Sequence, residues 1–199
     1  MRVKTETRRN AIIEAATRVF LESGFEKTTM SDIATRLGFS KATIYGYFST
    51  KEDLFLEAMN ALGNTLFAET YAELSTDGDI RDRLRHFGIS MLSFTTSANA
   101  LAMFRLMIAG SARPEIGRGI YIQGMQKGEA TIKALLKAAM DAGHLRQSDP
   151  EVVADHLRAL LEAEFLHKRL FSVMDAPSQK EFVTAVDRAL EVFLAAYGK

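Results

Sequence analysis

From Thr28 to Leu54 the chain fits two helix starts, a helix stop and the start of a third helix into a very short span. Thr29, with Asp32 three residues on, has the spacing of a capping box. Ile33, Ala34 and Leu37 then fall on one helical face. Gly38 suits the left-handed stop of a helix, Phe39 closes the turn, and Ser40 caps the next helix. Only two short helices crossing at a tight turn satisfy these signals. Ala34 at the crossing, Gly38 in the turn and Ile44 in the core are the residue types such a close crossing needs.

The second helix, about Lys41 to Tyr47, has an unusual outer face. Ile44 and Phe48 are one turn apart and face inward, which leaves Ala42 and Gly46 pointing directly away. Lys41 and Tyr45 flank them on one side, Thr43 and Tyr47 on the other. A solvated face is normally long and charged, whereas this one is small along its crest and polar on its flanks. A helix of that shape approaches another surface closely, as a helix does in the DNA major groove. Thr50 and Asp53 then cap a long helix. Lys51 occupies the first helical position, unfavourable for a cation in the helix dipole. A bound phosphate explains that placement; the alternative is a solvated lysine.

Ile44-Tyr45-Gly46-Tyr47-Phe48-Ser49-Thr50-Lys51-Glu52-Asp53-Leu54, after Asp32-Ile33-Ala34 and Gly38-Phe39-Ser40-Lys41, resembles the signature of the TetR family of one-component transcriptional regulators. The resemblance spans roughly residues 8–55. It implies DNA-facing positions at Thr29, Ser31, Lys41, Ala42, Thr43, Tyr45, Tyr47 and Lys51. Gly46, on the crest, joins them; it stands where many members carry a larger residue.

The rest of the chain is consistent with that reading. Cysteine is absent, which removes disulfides and thiolate metal sites. No apolar run is long enough for a bilayer span, and the first residues have no apolar signal core, so a cytoplasmic protein without membrane contact is expected. Only 3 prolines and few β-branched runs predict an all-α fold of about nine helices. An N-terminal three-helix DNA-binding domain over 1–54 is followed by a helical bundle over 55–199. The bundle's helices are expected at about 51–74, 79–95, 98–109, 114–142, 149–172 and 179–197. Net charge is zero, yet residues 1–51 hold nine Lys/Arg against five Asp/Glu, while residues 52–199 hold sixteen against twenty. The basic end is the end carrying the motif. Arg8 and Arg9 either add phosphate contacts or are solvated residues at a helix start.

The bundle is rich in large adaptable side chains. Phe67, Met91, Phe94, Phe104, Met107, Tyr121, Met125 and Phe165 suit either a plain core or the lining of an apolar effector pocket. Glu164 either pairs with Lys168 one turn on or orients an effector. Glycines at 117, 119, 124 and 128 weaken the start of the 114–142 helix. From Leu101 onward the chain resembles the ligand domain of the AcrR/AefR-like branch, which implies sensing of a small hydrophobic or amphipathic molecule. The family resemblance also implies a homodimer through the last two helices, on the stripes containing Leu157, Leu161, Phe182, Val186, Leu190 and Phe193; the stripes alone are equally an ordinary core. A dimer reads a palindromic double-stranded operator with one recognition helix per half-site.

Two alternatives come from other classes. One is an architectural nucleic-acid binder without a ligand. The other is a metal-dependent helical-bundle enzyme, suggested only by Glu164-x-x-His167. No phosphate loop, nucleophile elbow or paired metal-ligand motif supports catalysis, so the expectation is a ligand-responsive DNA-binding repressor, not an enzyme, with no cofactor.

Overall fold

The structure, a computed structural model, describes residues 5–72 and 78–199, and the side chains in those spans except 66–72 and 123–128. Phe67 and Met125, expected in an effector pocket, lie outside the described residues, as do the side-chain environments of 124 and 128. The described residues are all-α: eleven α-helices, one π-helical segment and a single isolated antiparallel bridge, Leu145 to Gly198. The contacts divide the chain into two compact units, residues 1–65 with 102–125, and residues 66–101 with 126–199.

The first unit contains α1 (Glu6–Lys27), α2 (Met30–Leu37), α3 (Lys41–Tyr47) and the first part of α4 (Lys51–Ala72). It also takes most of α6 (Ala98–Gly110), α7 (Pro114–Gly119) and the π segment Ile120–Met125. Thr5 caps α1 by accepting from the Arg8 amide. Ile12, Ala16 and Phe20 form its buried face, and Ile33, Ile44, Leu54 and Phe55 pack in the same unit with 0% exposure. Phe20, Phe25 and Phe55 make an aromatic triad; Phe55 meets the other two rings edge-on at 5.1 and 4.9 Å. Such offset aromatic contacts add stabilisation beyond area burial.

Two glycines close this unit by allowing near contact. A Cβ at Gly110 would stand 3.1 Å from the Phe55 ring, and one at Gly119 would stand 2.6 Å from Leu56. Arg113, just before α7, rests its guanidinium on the Phe25 ring at 4.8 Å and pairs with Glu26 at 3.1 Å and Glu52 at 3.7 Å. The chain that follows the DNA-binding motif thus completes the motif's own core.

The second unit holds α5 (Ile80–Thr95), α8 (Gln126–Asp141), α9 (Pro150–Glu162), α10 (Leu166–Leu170) and α11 (Gln179–Tyr197). Leu84, Phe87, Leu92, Leu136, Val153, Leu157, Leu161, Val186, Leu190 and Phe193 share one core. Gly88 lets α5 approach Leu161 and Val186, where a Cβ would stand 2.8 and 2.9 Å away. Arg85 ties α5 to α11 through Asp187 at 2.6 Å. The Arg146 amide donates to the Tyr197 carbonyl at 2.9 Å, and the Tyr197 hydroxyl lies 2.5 Å from His156 Nδ1.

Two expected helices are broken. The stretch 114–142 divides into α7, the π segment and α8. The break falls in the glycine-containing stretch, where helix propensity is lowest. The stretch 149–172 divides after Glu162 into α9 and α10. No glycine or proline marks that second break.

The residues that the sequence assigns to a dimer seam are buried within one chain. Leu157 and Leu161 are 1% exposed, Phe182 is 7%, and Val186, Leu190 and Phe193 are 0%, all within one chain. Their stripes pack against α5 and each other within one chain.

Candidate nucleic-acid interface

The motif folds through its local caps. The Thr29 hydroxyl accepts from the Asp32 amide, and the Asp32 carboxylate accepts from the Thr29 amide at 2.8 Å. Hydrogen bonds from Thr29 hold the Asp32 carboxyl below its usual pKa. Gly38 ends α2 at φ 65°, with its amide shared between the Ala34 and Thr35 carbonyls. Ser40 then caps α3 by accepting from the Thr43 amide at 3.2 Å. The Ser40 and Thr43 hydroxyls are also bonded, at 2.8 Å.

This geometry sorts the residues expected to face DNA. Thr29, Ser31, Lys41, Ala42, Tyr45 and Gly46 are exposed, while Thr43, Tyr47 and Lys51 are half-buried. Ile44 and Phe48, at 0% and 4%, anchor α3 from below. Lys41, Ala42, Tyr45 and Gly46 lie at helical spacing on one outward face. The Lys41 ammonium lies 5.8 Å from the Tyr45 ring centroid, which orders both side chains on that face. The Tyr47 hydroxyl accepts from the Thr5 amide at 3.1 Å and so joins α3 to the start of α1.

Lys51 is placed differently from the sequence reading. Its ammonium donates to the carbonyls of Phe25 at 2.8 Å and Thr28 at 3.0 Å, at the end of α1. Phe25 follows the kink at Gly24, whose φ is 79°, and Thr28 is the extended residue that ends α1. The cation therefore has partners inside the protein. Arg9 likewise pairs with Glu57 at 2.9 Å and stands over the Phe48 ring at 5.3 Å.

The residues expected around an effector divide between the units. Phe104 and Met107 are half-buried and Tyr121 is 49% exposed, all in the first. Met91, Phe94 and Phe165 are buried in the second. Glu164 pairs with Arg188 rather than with Lys168. Its carboxylate accepts two bonds from Arg188, which hold its pKa low. The acid that sequence reasoning missed is Glu162, half-buried beside Arg158, its pKa pushed up to about 7 by burial. Its spacing of four from Arg158 was the available signal. Among the described residues no group of three His, Asp or Glu could hold a metal, and the Glu164–Arg188 pair removes the one suggestive carboxylate.

Comparison with known proteins decides the family. Residues 12–58 match the description "Bacterial regulatory proteins, tetR family", and residues 82–199 match the C-terminal domain of AefR-like transcriptional repressors. The chain belongs to the TetR family. It is a DNA-binding transcriptional regulator and not an enzyme. This TetR regulator is 28% identical over 147 residues to the HTH-type transcriptional regulator YezE of Bacillus subtilis, covering 72% of this chain and 75% of that one. It is 28% identical over 186 residues to the HTH-type transcriptional repressor Rv1353c of Mycobacterium tuberculosis, covering 92% and 67%. Among solved structures, a TetR-family regulator from Mesorhizobium loti superposes with a TM-score of 0.86 at 28% identity, covering 98% of this chain and 100% of that one. The flavonoid-responsive regulator FrrA superposes at 0.83 with 27% identity, covering 98% of each chain. No single helix among the described residues is long and apolar enough to cross a membrane.

Proposed function

We propose that this regulator is a homodimeric repressor that binds a palindromic operator through α3 and releases it when a small amphipathic molecule binds. The observation that carries the DNA half is the exposed face Lys41-Ala42-Tyr45-Gly46 above the buried anchors Ile44 and Phe48. One such helix contacts only a few base pairs, so specificity calls for two, related by a two-fold axis. The surface for the second copy is the outward side of the last two long helices: Val152 and Ala159 on α9, and Val192, Ala195 and Ala196 on α11. Val152 is 43% and Val192 56% exposed.

The effector half rests on a cleft in the second unit lined by Phe87, Met91, Ile132 and Leu157, with Glu129 and Arg158 at its polar edge. Its volume, about 40 Å³, is far below the roughly 300–1,000 Å³ of ligand pockets. Entry therefore requires repacking, for which methionine is suited. The likeness to a flavonoid-responsive protein favours an aromatic, amphipathic effector.

Selection from randomised duplex DNA, followed by gel shifts with and without candidate aromatic effectors, tests the whole reading. The expected result is an enriched palindrome and effector-dependent release. Binding to all duplexes alike would leave an architectural binder instead.

A further inference from the structure

The recognition helix carries a glycine that the protein itself does not need. Seven other glycines have an internal reason. Gly24, Gly38, Gly78 and Gly143 adopt positive φ, and Gly88, Gly110 and Gly119 allow close packing. Gly46 has neither. Its φ is not positive, it sits inside α3, it is exposed, and a Cβ added there would meet nothing within 4 Å. Glycine is the poorest helix former after proline, and α3 has only 7 residues. The cost is borne with no return inside the chain, so the reason lies in what α3 touches.

The neighbourhood says what that is. Ala42, one turn earlier, is also exposed and carries only a methyl group. Together the two positions form a smooth apolar stripe about 6 Å long, bordered by the Lys41–Tyr45 pair on one side and by Thr43 and Tyr47 on the other. The stripe has no side-chain donor or acceptor. A base edge rich in hydrogen-bonding groups pressed against it would lose its water partners unpaired, which is costly. One group projecting into the major groove asks for no partner, the thymine 5-methyl.

We infer that Gly46 leaves room for a thymine methyl in each operator half-site, letting α3 seat deeply enough for Lys41 and Tyr45 to reach the DNA on its flank. This rests on the operator reading above and adds what the crest recognises.

The test compares wild type with Gly46→Ala on the operator selected by wild type, and on copies in which deoxyuridine replaces each thymine in turn, removing only the methyl. Gly46→Ala should raise the Tm by about 2–4 °C, since it adds helix propensity without a clash. It should weaken binding to the thymine operator roughly tenfold, comparable to a mismatch. Deoxyuridine at one symmetric thymine pair should restore most of that loss. Unchanged or tighter binding by Gly46→Ala overturns the inference, and so does a loss that no deoxyuridine relieves. A wild type that enriches no sequence sinks the operator reading first, and this inference with it.

Discussion

The Lys51 ammonium donates to the Phe25 carbonyl at 2.8 Å and lies 4.2 Å from the centroid of the same residue's ring. One residue at the start of α4 thus holds both the backbone and the side chain at the end of α1. The recognition helix lies between those two elements in sequence, so its orientation depends on this hold. Lys51→Ala should cost about 1–3 kcal/mol of stability, as lost hydrogen bonds from a charged donor do. Operator affinity should fall, but the slope of log affinity against log salt should stay within a few tenths of wild type. A slope shallower by about one unit would return Lys51 to the phosphate role inferred from sequence.

Arg113 makes a parallel contribution from outside the motif. Arg113→Ala removes the pairs to Glu26 and Glu52 and the contact with the Phe25 ring. The pairs are partly exposed and worth little each, and the ring contact is worth about 0.5–1 kcal/mol. A loss of about 1–2 kcal/mol in denaturant unfolding is expected. A change below 0.3 kcal/mol would show that apolar packing alone closes the unit.

Glu162 gives stability a pH dependence. Burial raises its pKa from 4.5 to about 7. Between those values the folded chain holds a proton that the unfolded chain has lost, so stability falls as pH rises through this window. Above it the penalty is complete. Glu162→Gln should therefore stabilise the protein at pH 8, by about 1–3 kcal/mol, and leave it nearly unchanged at pH 4. Urea midpoints at the two pH values check this; equal effects at both would rule out titration of Glu162.

The two faces of α11 should respond oppositely to charge. Val192→Asp, on the 56% exposed side, should give folded monomers by light scattering and weak operator binding. Phe193→Asp, at 0% exposure, should unfold the chain, because an unpaired charge cannot be buried there. Folded monomers from Phe193→Asp and intact dimers from Val192→Asp would restore the seam first read from sequence.

These contrasts mark what the sequence could carry. The caps at Thr29 and Ser40 and the stop at Gly38 were legible because each partner lies within five residues. Ile44 and Phe48 were legible because helical period alone turns them inward. The stripes on α9 and α11 were visible as stripes, but a stripe reports only that a face is buried, not what covers it. Gly88, far away in the chain, is what lets α5 take that place. Lys51 was visible as a misplaced cation; the α1 carbonyls that receive it are 23 and 26 residues distant. Glu164 was expected to bond its own helix, and its partner Arg188 lies 24 residues on.

The closure of the first unit by Gly110, Arg113 and Gly119 also orders events during synthesis. The caps and the Phe20–Phe25–Phe55 cluster are available once α4 has emerged, yet Phe55, Leu56 and the Phe25 ring keep uncovered surface until α7 follows. At 5–20 residues per second, the roughly 47 residues from the end of α4 to the end of α7 take about 2–9 s, far longer than helices need to form. Throughout that interval the nascent chain displays a shaped but incompletely packed reading head. A gene fragment ending near residue 58 would freeze it in that half-built condition, prone to proteolysis and aggregation, whereas one extended past Gly119 would carry the missing wall of its core.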